Sequence, residues 1–435
     1  MATVTQKARR AYIHTHGCRL NQAESEMLSQ QLVRAGYSVS SSLDKVDLAI
    51  INTCTVTREA EAKCRQTIRK IIRHNPNAFV AVIGCYSQTG ASALAAIEGV
   101  DLIVGNQDKM KVLDYVHWGK HEQPLILREQ MDRRDFSLPF VGELPSTQRA
   151  YLKIQDGCNF MCSFCLIPFA RGRARSRYFN NVIAEARTLV ANNVKELVLT
   201  GVNIGTFSSE GQNFLDLVEA LASIQGLQRI RISSIEPTTI PKELFTLMAD
   251  DAHPLLPYLH IPLQSGSDAV LQSMRRRYSV QDYLDFIEEA DEAIDGLCLG
   301  SDIMVGYPNE RSEDFEESCD VFQKSPLAYC HVFSYSERPG TLAPKKDNSV
   351  PVAERNRRSA YLRRLSAKKR YDFNQSFLGQ TMEVLFETQR EGFWSGYTGN
   401  YIRVLCKSEK DLTNSIASVS LTSMEAEFAI AKLAC

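Results

Sequence analysis

Short apolar runs alternate with longer stretches of mixed polarity through the N-terminal part of the chain. Ala11–His14 predicts a short strand, and Glu24–Gly36 a helix closed by Gly36. Glycine enters the left-handed conformation at a helix end without a Cβ penalty. Val46–Asn52 (V-D-L-A-I-I-N) and Phe79–Gly84 (F-V-A-V-I-G) predict buried strands, with a helix over Glu59–His74 between them that stops before Asn75-Pro76. Strands alternating with helices imply a parallel sheet. No glycine-rich dinucleotide fingerprint follows any of these strands.

Residues 119–148 are polar and irregular, carry Pro124, Pro139 and Pro145, and read as a linker. From Arg149 the alternation resumes. Candidate strands are Ala150–Gln155, Glu196–Thr200, Arg229–Ser233, Tyr258–Pro262, Cys298–Val305 and Ala328–Phe333. Six strand–helix units suit a partial or full (β/α) barrel better than an open doubly wound sheet, and a barrel's chemistry sits at the C-terminal ends of its strands. Further on, Thr381–Thr388, Trp394–Tyr397 and Tyr401–Cys406 are short segments set between Gly and Asn turns. The expected organisation is α/β: an N-terminal parallel α/β domain (8–120), a central barrel domain (145–372) and a small all-β domain (375–435).

Composition narrows the class. A length of 435 residues exceeds one ordinary core and predicts two or three domains. Hydrophobic residues at 44% and charged residues at 23% are a globular balance. No run of about 20 apolar residues is present, so no membrane span is expected. Met1–Arg10 lacks the apolar core of a signal peptide, so the expected location is cytoplasmic. A reducing compartment disfavours disulfides, and the 12 cysteines then point to metal ligation or catalysis where they cluster, and to core thiols elsewhere. The net charge of −1 does not announce a nucleic-acid binder. Local charge does: Glu354–Asp372 holds eight Lys/Arg against two acids, either an RNA contact or a solvated helix face.

The cysteines form two constellations. Cys158, Cys162 and Cys165 make a C-x3-C-x2-C loop just after a predicted strand. Three thiolates on one short loop can hold three corners of a cubane iron–sulfur cluster. Structural zinc is the alternative, but it wants four ligands, and no His or further Cys lies within 30 residues on either side. Cys18, Cys54 and Cys85 each follow a predicted strand, in H-G-C, N-T-C and I-G-C. Parallel strands end on one edge of a sheet, so the three converge there. Cys64 falls mid-helix; with Cys298, Cys319, Cys330, Cys406 and Cys435 it reads as a free thiol.

T-H-G-C-R-L-N-Q-A-E-S-E (15–26), N-T-C-T-V-T (52–57) and G-C-Y-S-Q (84–88) resemble the N-terminal domain of the radical S-adenosylmethionine (SAM) methylthiotransferases. D-G-C-N-F-M-C-S-F-C-L-I-P-F-A-R-G-R-A-R-S-R (156–177) resembles their radical SAM loop, and the last 60 residues, with G-Y-T-G-N-Y-I-R-V (396–404), their RNA-binding TRAM barrel. One branch of this family modifies N6-isopentenyladenosine in tRNA, one N6-threonylcarbamoyladenosine in tRNA, and one an aspartate of a ribosomal protein. N-T-C-T-V-T, L-T-G-V-N-I-G (199–205), R-I-S-S-I-E-P (231–237) and H-I-P-L-Q-S-G-S-D (260–268) resemble the threonylcarbamoyladenosine branch. Two departures stand out: Asn309-Glu310-Arg311 replaces the usual Gly-Glu-Thr, and His16 occupies a usually apolar position.

The resemblance implies two 4Fe-4S clusters, one on the catalytic Cys158, Cys162 and Cys165 and an auxiliary one on Cys18, Cys54 and Cys85. The first leaves one iron open for SAM, whose reductive cleavage gives a 5′-deoxyadenosyl radical. A second SAM donates the methyl group. It also implies a flavodoxin- or ferredoxin-type electron donor and leaves the sulfur donor open. SAM contacts would come from Phe164, Thr200, Gly201, Asn203, Ser233, Ser234, Glu236, Gln264 and Asp302, with Gly306–Pro308 on the adenine side. Phe160 and Phe164 would wall the cluster from solvent or simply pack the core. For tRNA, the candidates are the basic run, Arg171, Arg173, Arg175 and Arg177 on one face of an extended loop, and the barrel's Trp394 and Tyr401, which would stack on bases or fill a small core. Two readings of another class remain: a non-catalytic iron–sulfur RNA-binding sensor, and a zinc-stabilised RNA-binding protein.

Overall fold

The computed structural model describes residues 8–139, 148–346 and 348–434. Pro145, the start of the central unit expected from 145, and the thiol of Cys435 lie outside the described residues. Among the described residues, no helix is long and apolar enough to cross a membrane.

Six parallel strands open the chain, in the order Ser38–Val39, Arg10–Thr15, Leu48–Thr53, Phe79–Gly84, Leu102–Val104 and Leu125–Leu127. Leu48–Thr53 and Phe79–Gly84 are buried along their whole length, as their unbroken apolar runs require. Helix Arg58–His74 covers one face through Ile68 and Ile71; helix Arg19–Arg34 covers the other through Leu28 and Leu32. Gly36 takes φ +85° just past the second of these helices, as expected of a terminating glycine. That helix begins five residues earlier than Glu24, directly after Cys18, because no side chain caps its start and the sequence carries no start signal. Leu125–Leu127 corrects the linker reading of 119–148: three residues pair with Leu102–Val104 at the sheet's edge, too few to show a period.

The central region holds two parallel three-stranded sheets. Arg149–Lys153, Glu196–Thr200 and Arg229–Ile232 form one; Tyr258–His260, Cys298–Val305 and Tyr329–Ser334 form the other. Backbone bonds from Leu256 N to Ile230 O (2.9 Å) and from Ile235 N to His260 O (3.0 Å) join them into one arc with a continuous apolar core. The first and last strands do not pair, so the arc is a partial barrel. Helix Arg19–Arg34 packs against the first strand. The long helix Val352–Gln375 lies against the last, where Ser366 Oγ bonds both the amide and the carbonyl of Cys330 at 2.9 Å.

Five strands then close an antiparallel-rich barrel: Thr381–Arg390, Phe393–Thr398, Arg403–Lys407, Ile416–Glu425 and Phe428–Leu433. It docks at the N-terminal ends of the arc's strands. Arg229 donates to Tyr397 O and Glu383 O, Arg231 to Gly399 O and Thr398 O, and Arg149 pairs with Glu387 at 2.7 Å.

Candidate active site

The first strand of the arc runs into Gln155–Asp156 and then Gly157. Gly157 has φ +70°, and a Cβ there would stand 2.1 Å from Arg173 O, so only glycine admits the turn that starts the cysteine loop. Each thiol then meets a donor. Cys158 Sγ accepts from Phe160 N (3.3 Å), Cys165 Sγ from Ile167 N (3.4 Å) and Cys162 Sγ from Arg276 Nη1 (3.4 Å). Burial still pushes the Cys158 thiol up to about 11 and Cys165 up to about 12, and raises Cys162 against the pull of Arg276. Metal uptake at this loop therefore displaces protons.

At the edge of the N-terminal sheet, Cys18, Cys54 and Cys85 follow three adjacent parallel strands. Their loops touch: a Cβ on Gly17 would lie 2.8 Å from Cys54 Cβ and 2.9 Å from its Sγ. Gly84, at φ +98°, brings Cys85 in over Asn52, whose Oδ1 would sit 2.5 Å from an added Cβ. Asn106 Nδ2 donates to Cys85 Sγ at 3.6 Å. Burial, then the neighbouring Cys85 and Cys18, push the Cys54 thiol up to about 12. Cys64 donates to Cys54 O from helix Arg58–His74 and packs in the sheet's core.

Soft donors in threes suit iron–sulfur clusters. A zinc ion draws its sulfurs to about 3.8 Å from one another, given Zn–S bonds near 2.3 Å. Among the described residues, three ligand atoms lie within 4.8 Å of one another only at His260, Asp302 and His331. The two cysteine sets are not among them.

Between the two sets lies a buried charge network that the motifs did not reveal. Glu24, fully buried, accepts from Lys109, Lys153 (2.7 Å) and Arg171 (3.0 Å). Asp156 accepts from Lys153 (2.7 Å) and Arg171 (3.0 Å), and Asn21 Oδ1 accepts from Arg171 at 2.6 Å. With Arg175 3.6 Å from Asp156, four cations against two carboxylates leave positive charge near Cys85, which neighbours Arg171. Such a field favours thiolate and anionic clusters.

A cleft of about 1120 Å³ opens on these features. Cys18 and Cys54 stand on one wall; Thr200, Gly201, Ser233 and Ser234, at strand C-terminal ends, stand on another. A side cavity of about 160 Å³ reaches Cys165, Phe164 and Gln264, and shares Asp302 with the main cleft. Asn203 is buried with its Nδ2 unpartnered, while Gln155 Oε1 accepts from its amide at 2.9 Å. Asn203 lines neither cavity, and its Oδ1 accepts from Thr239 at 3.0 Å. Glu236 is engaged by Arg276, the residue that reaches Cys162, so its carboxylate positions that arginine. Asp302 accepts from His260 (3.0 Å) and stands 3.3 Å from His331. Burial works to raise its carboxyl, and the two imidazoles outweigh this and hold it well below the usual carboxylate range. His331 was not among the expected residues; its signal is the alternation that also exposes Phe333 beside it on the strand.

Both departures from the family pattern fit their places. Asn309 has φ +69°, where glycine is at home and Asn is the best-tolerated substitute. His16 stacks edge-on to His14, and burial with that neighbour lowers its imidazole to about 4, so it behaves as a neutral ring at pH 7.

The RNA candidates need correction. Arg171 and Arg177 are buried: the first in the network above, the second against Glu185 and Asn181. Arg175 is largely covered and 3.6 Å from Asp156; of the four, only Arg173 is exposed. An arginine whose charge is already met by a buried carboxylate has none to offer a phosphate. Trp394 fills the barrel core at 5% exposure. Tyr401 is wedged at the barrel's dock, its hydroxyl accepting from Arg19 (3.1 Å) and Arg149 (3.3 Å). In the basic run, Arg355 and Arg358 are buried in bonds to protein acceptors, while Arg363, Arg364 and Lys368 are exposed.

The chain is similar to known proteins. Residues 10–105 match the model of the Uncharacterized protein family UPF0004, and residues 152–322 that of the Radical SAM superfamily. The Threonylcarbamoyladenosine tRNA methylthiotransferase MtaB of Bacillus subtilis is 37% identical over 418 residues, covering 94% of this chain and 92% of that one. Its Aquifex aeolicus counterpart is 34% identical, covering 90% and 98%. The tRNA-2-methylthio-N(6)-dimethylallyladenosine synthase of Endomicrobium trichonymphae is 31% identical, covering 94% and 96%. Among solved structures, the radical SAM methyltransferase TsrM of Kitasatospora setae, with cobalamin and a [4Fe-4S] cluster bound, superposes with a TM-score of 0.55 at 17% identity, covering 77% of each chain. Relatives of this kind, 31–37% identical over nearly the full length, place this chain in the radical SAM methylthiotransferase family.

Proposed function

We propose that this protein adds a methylthio group to C2 of N6-threonylcarbamoyladenosine beside the anticodon of tRNA. The observation that carries the reading is the single cleft reached from both cysteine sets: directly from Cys18 and Cys54, and through the adjoining side cavity from Cys165. Groups held on the two cysteine sets would face one substrate space. The threonylcarbamoyl name belongs to the relatives at 37% and 34% identity, and the dimethylallyl name to one at 31%, which favours the former substrate.

Cys158, Cys162 and Cys165 would hold one 4Fe-4S cluster, and Cys18, Cys54 and Cys85 a second. With SAM bound, such a cluster supplies the radical needed to open an aromatic C–H bond that acid–base chemistry leaves inert. The chain's own part is positioning. Arg276, steadied by Glu236, donates to Cys162 and shields it from the bulk. Ser233, Gln264 and Asp302 offer polar groups to SAM from the strand ends and the side cavity, and buried Asn203, with its Nδ2 unpartnered, lies behind them. Phe164 packs with Tyr307 and Tyr335 and excludes water behind Cys165. Arg173, Arg364, Lys368 and the barrel surface form the tRNA-facing side, and a flavodoxin- or ferredoxin-type protein is the electron donor.

Nucleoside analysis by mass spectrometry tests the reading. The reconstituted protein, given SAM, reductant and tRNA bearing threonylcarbamoyladenosine, is expected to yield the 2-methylthio nucleoside. Conversion of isopentenyladenosine tRNA instead would reassign the substrate.

A further inference from the structure

Helix Val352–Gln375 turns one stripe to the cleft: Val352, Arg355, Asn356, Ser359, Ala360 and Arg363, at helical spacing. Their states differ. Arg355 is spent, donating to Val350 O, Tyr335 O, Glu337 and Ser349 at 2.6–2.9 Å. Ser359 is 4% exposed, and its hydroxyl has no partner. Arg363 is exposed and makes one bond, Nη2 to Val332 O at 3.2 Å, beside His331; among the described residues no carboxylate pairs with it. The acids lining the same cleft are otherwise occupied or distant in role: Asp302 is held by two histidines, Glu337 by Arg355, and Glu59 stands on the N-terminal wall with Arg58.

We propose that Asn356, Ser359 and Arg363 read the carboxylate of the amino-acid group on N6 of the target adenosine. The inference rests on the substrate reading above. A threonylcarbamoyl group ends in a carboxylate and an isopentenyl group in two methyls, so an enzyme for the first needs an unspent cation and neutral donors where the second needs an apolar wall. A guanidinium with most of its donors unused, one helical turn from a buried hydroxyl without a partner, supplies that set. These three side chains also disfavour the apolar substituent, since burying it there leaves the Ser359 hydroxyl without a partner and strips water from Arg363.

The test is binding of anticodon stem-loop RNAs to the anaerobically reconstituted protein: one with threonylcarbamoyladenosine, one with its methyl ester and one with unmodified adenosine, beside a fourth with isopentenyladenosine. Wild type is expected to prefer the acid over the ester by about 10- to 100-fold, the range of a charged hydrogen bond. In Arg363→Gln that ratio falls to about one; Arg363→Lys keeps a preference, and Arg58→Gln keeps it whole. Melting curves that match wild type show the variants are folded. A retained ratio in Arg363→Gln, or equal weakening of all three RNAs as from a lost phosphate contact, overturns the proposal and leaves the substrate reading standing. Wild type that prefers an isopentenyladenosine stem-loop to all three overturns the substrate reading itself.

Discussion

Alanine at Cys54 is expected to abolish methylthiolation while SAM cleavage continues; alanine at Cys162 is expected to abolish both. The two cysteines stand on different loops, with different neighbours. Cys162 shares its loop with Cys158 and Cys165 and takes the Arg276 bond. Cys54 lies at the end of a fully buried strand of another sheet, against Gly17 and Cys64. Loss of one thiolate from a three-thiolate site removes a corner, and product should fall below detection. Chromatography of 5′-deoxyadenosine beside nucleoside analysis reads both outcomes from one reaction. Methylthiolation by Cys54→Ala would remove the N-terminal set from the chemistry.

Glu24→Ala is expected to cost about 3–5 kcal/mol of stability, the range for an uncompensated buried charge. Lys109, Lys153 and Arg171 would lose their common acceptor where water does not reach, and the contact between helix Arg19–Arg34 and the first strand of the arc would loosen with them. The effect has a defined pH sense. Burial alone would raise the Glu24 carboxyl, but Arg171, Lys109 and Lys153 hold it well below the usual range. Its stabilisation is present above about pH 4.5, the unfolded value, and is lost as pH falls through the lowered folded value. Urea melts of wild type and Glu24→Ala should therefore differ most near pH 7 and converge on acidification. A difference that persists unchanged at low pH would mean packing and not charge.

What the sequence made legible follows from range. Phe79–Gly84, Glu196–Thr200 and Cys298–Val305 form strands with the expected ends, because an unbroken apolar run is a local signal of a strand buried on both faces. The three cysteine-bearing strand ends converge as parallel topology demands. The arginines of 171–177 show the limit. Alternation places them on a common side of an extended segment and says nothing about which side meets solvent. Arg171 finds Glu24 across 147 residues, a separation no local pattern spans. Trp394 was equally ambiguous: in so small a barrel the largest apolar ring goes to the core. Glu24 and Asp156 lie inside the quoted motifs, yet only the fold shows that they belong to one network.

The central claim is two clusters on separate cysteine sets, and iron and sulfide content after anaerobic purification tests it most directly. Wild type and a Cys158/Cys162/Cys165→Ala triple variant are compared. The account predicts about eight irons in wild type and about four in the variant. About four in wild type and none in the variant would mean that Cys18, Cys54 and Cys85 hold no cluster, and would contradict it.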